Sequence, residues 1–539
     1  MIRELHAVGE ATSLDADLCI VGAGAAGLAL AAQFLNSNLR VLVLESGLRE
    51  PDAIGTDLNI VSSTGLRHDG WEQGRIRALG GTTRAWGGQL MALRASEIEP
   101  RAWVPRSGWP LSLEDLQPYY RNVERLLRVE GPPYDATVWR HLGLTPPELD
   151  PDLFCVRFSQ WAALGRRNFA VLWRRELERS GNVDVLVDAT AVAIRCSERG
   201  DHCDSIEVRA RCGRRVGVRA QAFVICAGGI ETARLLLASP GAGGEGVANS
   251  SGLVGRFFQD HISYIAGEIE PVARRAVQYL FDPRYRGSTM YSVKIEPTDA
   301  TLRERGWLNV MGHVAFQIPE ALGWMELRRL IRSFQAGRSA LPSFDETVAM
   351  MRGGAELTRL VLARFLAKRR RSPGAGRILL LVDTEQAPNA DSRVTLDDSV
   401  DALGVRRARL DWRITGLETA TLTGFTQMLA GEFKRVGLGT VQLAGAPDYA
   451  VRDVPGAARD IFHHMGTTRM SAAPPDGVTR PDLRTHDVDN LYIAGASVFP
   501  TGGIANPTFT ALALSLRLAD ALKSRLGVGA VHQTVARQD

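Results

Sequence analysis

The residues whose types and spacing could do chemistry fall in three short stretches. The first is Gly22-Ala23-Gly24-Ala25-Ala26-Gly27, a GxGxxG pattern, with Glu45-Ser46 following about 20 residues later. In such a pattern the first glycine allows a tight turn, the second lets backbone approach a pyrophosphate, and the third lets a helix pack on a strand. An acid ending the next strand accepts hydrogen bonds from a ribose diol, and its charge argues against a 2′-phosphate. The second stretch is Leu79-Gly80-Gly81-Thr82-Thr83-Arg84-Ala85-Trp86-Gly87-Gly88, whose four glycines and two threonine hydroxyls suit a loop wrapped around a cofactor. The third is His463-His464-Met465-Gly466-Thr467-Thr468-Arg469-Met470, followed by Gly502-Gly503-Ile504-Ala505-Asn506-Pro507-Thr508. Histidine exchanges a proton near neutral pH. An amide such as Asn506 can fix a developing oxyanion without competing for that proton. The pattern alone leaves open which histidine is a base, and whether Asn506 forms an Asx turn before Pro507 instead.

These residues need elements to position them. Residues 17–21 read as a strand, the glycine run turns the chain, an Ala- and Leu-rich helix follows to about 35, and residues 40–44 form a second strand ending on Glu45. In this β-α-β unit the helix N-terminus faces the phosphates. Residues 222–227 read as a buried strand, Gly228-Gly229 as a turn and 230–238 as a helix, which returns the chain to the same sheet. Residues 183–195 alternate like strands, 113–127 form an amphipathic helix, and the strand 491–494 precedes the run 502–508, which leads into a helix to about 522. Further strands are expected at 264–269, 291–295, 310–317, 378–383 and 409–414, with antiparallel pairing the natural assignment.

A helical pair at 319–336 and 356–371 interrupts those strands, with Leu327, Leu330, Ile331 and Phe334 on one stripe and Lys368-Arg369-Arg370-Arg371 at the end. It reads as a cover over a substrate cavity or as a solvated helix end, with membrane-surface association the weaker reading. The expected fold class is α/β, a Rossmann-like dinucleotide-binding domain joined to a mostly antiparallel-sheet substrate domain that carries helices. The dinucleotide-binding domain would be discontinuous, from 1–95, 180–264 and 450–539. Residues 96–179 would connect and cover, and 265–449 would bind substrate with a helical insertion at about 319–371.

Composition excludes several classes. The chain has 539 residues, 45% hydrophobic and 23% charged, so it can bury a core without staples and is neither disordered nor fibrous. A net charge of +4 gives no case for nucleic acid. Only Lys294, Lys368, Lys434 and Lys523 are lysines, an arginine bias read as a codon effect. The six cysteines show no CxxC pair and no zinc spacing, so no metal is expected, and a reducing cytoplasm fits. Residues 1–15 lack an apolar signal core and no run reaches about 18 apolar residues, so neither a secretory signal nor a spanning helix is expected. The 54 glycines exceed the roughly 38 that average usage predicts, and the excess concentrates in the stretches above.

Taken in order, these stretches resemble the glucose–methanol–choline (GMC) oxidoreductases, flavoproteins that oxidise alcohols. The resemblance rests on GAGAAG with Leu44-Glu45-Ser46, the GGTT loop at 80–83, AGGIETARLLLAS at 227–239 and the HHMGTTRM and NPT pair at 463–470 and 506–508. Glu385-Gln386-Ala387-Pro388-Asn389-Ala390-Asp391-Ser392-Arg393-Val394 adds a weaker match. It looks closest to the bacterial branch with pyranose oxidase-like and polyol or sugar-acid dehydrogenases. The resemblance implies FAD, with Gly22, Gly24, Gly27 and Glu45 on the ADP half and Ala25, Ala26 and Ser46 also in the cofactor set. Gly80, Gly81, Thr82 and Thr83 would lie along the flavin and pyrophosphate, with Trp86, Gly87 and Gly88 also counted as cofactor-binding. Ala191, Val192, Ala227, Gly228, Gly495, Ala496, Asn506, Pro507 and Thr508 complete the implied cofactor set.

The family places its base three residues before the glycine, which is His463 here with His464 as the alternative, and its second catalytic position before the NP proline, which is Asn506. Some relatives carry a flavin-linked histidine where this chain has Ala85, so the FAD is expected to be non-covalent. His261 reads as structural and His313 as a packed sheet residue. The implied activity is oxidation of an alcohol, a secondary hydroxyl of a sugar, polyol or glycoside, by hydride transfer to flavin N5 with His463 as base. The alternatives are a non-redox FAD enzyme such as a hydroxynitrile lyase, an enzyme acting on a lipid or secondary-metabolite alcohol, or a silent flavin protein. The electron acceptor (oxygen, quinone or a carrier protein) and the oligomeric state are not legible.

Overall fold

Strands rich in Val, Ile and Leu on both faces belong in a covered parallel sheet. In the computed structural model of the chain, Ser13–Val21 pairs in parallel with Val41–Leu44 on one side and Arg215–Ile225 on the other. Residues 1–527 are described, apart from 10–11, 242, 318–325, 327–328, 331–340, 353, 367, 373 and 375. Val183–Val187 and Ile2–Glu4 extend the sheet in parallel beyond Val41–Leu44, and Leu491–Ile493 joins it beside Arg215–Ile225. Thr190–Cys196 and Cys203–Arg209 add an antiparallel edge.

The register of this sheet has a direct consequence. Val21 lies opposite Leu44 and Ile225, and Ile225 lies opposite Ile493, so four strands end at one level. The residues that follow them, Gly22, Glu45, Cys226 and Ala494, therefore share one edge. The helix Ala25–Ala32 covers the sheet there. Pro507–Arg525, with proline at its start, packs between that helix and Leu113–Leu127.

Among the described residues the second sheet has nine strands, all paired antiparallel. Its order runs Gly439–Leu443, Ile262–Pro271, Ile378–Thr384, Val310–Phe316, Thr289–Pro297, Phe154–Trp161, Gln89–Leu90, with Arg284–Arg286 and Ala458–Asp460 on its margins. The helix Gly416–Arg435 packs on it and buries Leu422, Phe425, Leu429 and Phe433. One buried hydrophobic cluster runs through both sheets. The fold class is α/β, as expected.

Several elements depart from expectation. The strand expected at 409–414 is Arg406–Trp412, and it pairs antiparallel with Arg393–Val400 and parallel with Val61–Gly65 in a separate three-stranded sheet. Alternation marks a strand but does not choose its partner. Phe154–Trp161, inside the expected connecting segment, is a full strand of the second sheet. The turn expected at Gly228-Gly229 is the first turn of the helix Gly228–Ala238. The helix expected at 319–336, with its stripe, falls largely outside the described residues. Its partner appears as Phe344–Arg352 and Gly354–Phe365 and stops before the basic run, where Lys368 has φ +47°. Arg369 of that run is not a solvated cation, since its Nε donates to Asp282 at 2.7 Å.

Candidate active site

The shared strand edge opens into a cleft of about 310 Å³. Gly22 holds φ +105°, and a Cβ there would stand 2.6 Å from the Cys226 carbonyl oxygen, so only glycine lets the two strand ends approach. Its amide donates to Leu44 O at 2.7 Å, while Cys226 N donates to Val21 O at 2.7 Å. A Cβ on Gly24 would meet nothing within 4 Å, which leaves room in the cleft for a group lying against backbone. The first amides of Ala25–Ala32 border that space and have no intrahelical acceptors.

Glu45 is buried. Its carboxylate accepts from Ala23 N at 2.9 Å and Gly47 N at 2.8 Å, which leaves lone pairs for a diol. Burial raises its pKa, against the pull of those two amides. Ser46, Gly81, Thr82, Thr83, Trp86 and Ala191 line the same cleft, as do Ala25, Ala26, Ala227, Gly228, Gly495, Ala496, Pro507 and Thr508. Gly27, Gly80, Gly87, Gly88 and Val192 stand behind the wall instead. Side chains at the four glycines would strike the Gly22 oxygen, Ala170, Trp161 and Arg167 respectively, while Val192 is buried in its strand. Their part is packing.

A second cavity of about 200 Å³ lies between the second sheet and the loops carrying His463 and Asn506, and His463 is the residue that lines both spaces. The loop carrying it is pinned at Gly466, which has φ +85° and whose Cβ would stand 2.1 Å from Phe257 O. Thr467 Oγ1 ties the loop to Gly229 O at 2.6 Å, and the Asp260 carboxylate takes the His463 amide at 2.9 Å. Burial alone would raise the Asp260 carboxyl, but His68, at 3.1 Å, and the neighbouring His464 and His463 hold it at about 2. His68, Asp260 and His464 place ligand-type atoms within 4.8 Å of one another.

The proton on His463 can be assigned from its partners. His261 Nε2 lies 2.8 Å from Gly503 O, an acceptor only, so His261 Nε2 donates. A neutral His261 then has a bare Nδ1, which sits 2.8 Å from His463 Nδ1. His463 must therefore donate from Nδ1, and its Nε2 is left as an acceptor. Asn506 Nδ2 faces that atom at 3.4 Å, and the Asn506 Oδ1 is buried without a partner. Burial first, and His261 second, pull the His463 pKa down to about 4, so the ring is neutral near pH 7. Burial likewise takes His464 to about 3. His464 lines the first cleft and not the second cavity, and its Nε2 has no partner.

A match to the GMC oxidoreductase family covers residues 388–515, which include the His463 loop and Asn506. Similar proteins extend the likeness over the chain. The 2-methyl-1,2-propanediol dehydrogenase of Mycolicibacterium austroafricanum is 26% identical, over 95% of this chain and 96% of its own. The paromamine 6′-oxidase of Streptomyces fradiae is 25% identical over 95% and 92%, and the fructose dehydrogenase large subunit of Gluconobacter japonicus 24% over 96% and 99%. The likeness is to the GMC oxidoreductases, by the family match over residues 388–515 and by relatives along most of the chain.

The fold agrees across greater distances. A pyridoxine 4-oxidase from Mesorbium loti superposes with a TM-score of 0.54 at 18% identity, covering 94% of this chain and 98% of that one. An Aspergillus oryzae formate oxidase variant gives 0.55 at 17% identity over 95% and 98%. Several residues of the cleft escaped the motifs. Arg75, Arg77 and Arg234 surround Glu231 at the cleft wall, at 2.9 to 3.1 Å. Burial would raise that carboxyl, but the three guanidiniums outweigh it and hold it well below the usual range. Glu231 and Arg234 lie within the 227–239 motif at helical spacing, a signal that was available, whereas Arg75 and Arg77 carry none.

Two histidine expectations need correction. His261 is a direct partner of the His463 ring, not merely structural, because the strand start at Ile262 brings it beside the loop. His313 lines the second cavity instead of packing in the sheet, because its strand presents that face to the open space. Among the described residues no helix is long and apolar enough to cross a membrane.

Proposed function

We propose that this chain is a GMC oxidoreductase, an FAD-dependent enzyme that oxidises a CH–OH group to a carbonyl, with His463 as base and Asn506 as the partner of the reacting oxygen. The observation that carries the reading is the facing of His463 Nε2 and Asn506 Nδ2, 3.4 Å apart, where the two cavities meet. The cleft fits a dinucleotide: it is open above Gly24 and Gly228, bordered by helix amides, and faced by a buried, unpartnered His464 Nε2. Gly22, Gly24, Glu45, Ser46, Gly81 to Thr83 and Pro507 would hold FAD there, and Ala85 offers no nucleophile for a covalent link. Bound FAD supplies the two-electron acceptor for the carbinol hydrogen.

The rest falls to the chain. A substrate hydroxyl entering the second cavity donates its proton to His463 Nε2, and its oxygen accepts from Asn506 Nδ2. His261 keeps the other His463 nitrogen protonated, so the ring presents a lone pair. A base of this kind accelerates proton removal by ~10²–10⁴. Anaerobic mixing of the flavin-loaded enzyme with a panel of alcohols tests the reading. Bleaching that is lost in His463→Ala and kept in His464→Ala supports it, and a flavin inert across the panel refutes it.

A further inference from the structure

The second cavity holds more polar chemistry than the reacting pair needs. Eight of its eleven lining residues are polar, and three of those, Lys294, Asp383 and His313, take no part in proton removal. The strand register explains the grouping. Asp383 lies opposite Ser263 on one neighbouring strand and Met311 on the other, and His313 follows two residues along on the same face. Lys294 comes from the next strand and is 6% exposed. Among the described residues its ammonium has neither a hydrogen bond nor an ion pair within 4 Å, although Asp383 and Glu296 are near enough to act on its charge. Asp383 is 4% exposed with an Oδ1 that has no partner, and its Oδ2 stands 3.4 Å from His313 Nδ1.

A buried ammonium and a buried carboxylate oxygen without hydrogen bonds are each costly by several kcal/mol unless something fills the space between them. The ammonium only donates and the carboxylate only accepts. A hydroxyl does both. The two charges also offset one another, so the cavity suits an uncharged guest. Its volume lies below the ~300–1,000 Å³ of pockets for drug-sized ligands, which limits the guest to a small ring or chain. Asp383 also acts on the charge of His463, so the two are close enough for one small molecule to reach both.

We propose that Lys294 and Asp383 form a recognition pair for a second hydroxyl next to the one being oxidised, which makes the substrate a small, uncharged vicinal polyol. Lys294 Nζ donates to the oxygen of that hydroxyl and Asp383 Oδ1 accepts its proton without transfer. His313, neutral because burial and Lys294 hold it at about 4, borders the same oxygen. The inference rests on the reading of His463 and Asn506 as the site of oxidation.

Three matched probes test it: cyclohexanol, trans-cyclohexane-1,2-diol and 2-hydroxycyclohexanecarboxylate. In flavin-loaded wild-type enzyme, anaerobic reduction should be at least ~10²-fold more efficient, as rate over Kd, with the diol than with the mono-alcohol, because a site built for a hydroxyl rejects the analogue lacking it. Lys294→Met and Asp383→Asn should each cut that ratio below tenfold. Calorimetric binding to flavin-loaded His463→Ala, which needs no turnover, should favour the diol over the mono-alcohol by at least tenfold, and lose that preference when Lys294→Met is added. A mono-alcohol within fivefold of the diol in wild type, or a carboxylate preferred over the diol, would overturn the pair. If no alcohol reduces the flavin, the oxidation reading fails on its own, and the binding preference still decides whether Lys294 and Asp383 recognise a diol.

Discussion

Replacing His261 by phenylalanine tests the proton assignment on His463. The ring volume is kept, but the acceptor for His463 Nδ1–H is lost, together with the bond to Gly503 O. A buried donor left without an acceptor costs ~1–3 kcal/mol. That cost falls on the tautomer that leaves Nε2 bare, because the other tautomer can turn its proton toward Asn506 Oδ1 or the substrate. At 1.36 kcal/mol per tenfold, the competent form drops by ~5- to 150-fold, and the limiting rate of flavin reduction should drop with it while substrate Kd moves little.

A second readout separates positioning from mere packing. The neighbouring His261 is one cause of the low His463 pKa, after burial. The base works when neutral, so its rate is lost as pH falls through its pKa. That effect is repulsion between the two rings when both carry a proton, so on the acid side removing His261 raises that pKa, and the acid limb of the pH–rate profile should move to higher pH. His261→Gln, whose amide can accept from His463 and donate to Gly503, should restore the rate to within about fivefold. Stopped-flow anaerobic reduction of variants matched for FAD content measures all of this. An unchanged limiting rate and acid limb in His261→Phe would refute the assignment.

Two further outcomes are expected. Acid precipitation of the holoenzyme should release yellow flavin into the supernatant, since Ala85 offers no attachment point; yellow retained in the pellet contradicts this. Thermal melts should show stability falling between pH 6.5 and 4.5. Burial holds His463 and His313 at about 4 and His464 at about 3, below the unfolded value near 6.5. The unfolded chain therefore binds more protons in that window, so stability rises with pH there and is lost on acidification, by up to ~3 kcal/mol per histidine. His464→Gln should make the decline shallower; an identical slope would count against a neutral buried His464.

The cleft along the strand ends was legible because it is local. Each of its motifs is a strand, a turn and a helix in consecutive residues, and the turn chemistry shows directly in Gly22, Gly24 and Glu45. His463 and Asn506, which the same kind of short pattern pairs, stand 3.4 Å apart. The second cavity was not legible, because strand pairing over long separations builds it. Nothing near Lys294 in the chain marks it as a partner of Asp383, although a lysine within an apolar strand, in a chain with four lysines, was a usable hint. His261 and His313 escape the sequence for the same reason, since each meets its neighbours through residues far away in the chain. Arg406–Trp412 was recognised as a strand and assigned to the wrong sheet, since alternation carries no address.

The central claim is that His463 takes the proton of an alcohol while bound FAD takes the hydride. Rapid anaerobic mixing with an oxidisable polyol measures it directly, by the bleaching of flavin absorbance in wild type, His463→Ala and His464→Ala. The account predicts bleaching in wild type, a rate lower by ~10²-fold or more in His463→Ala with FAD retained, and a bleaching rate close to wild type in His464→Ala. Full-rate bleaching in His463→Ala, with His464→Ala inert, would contradict it.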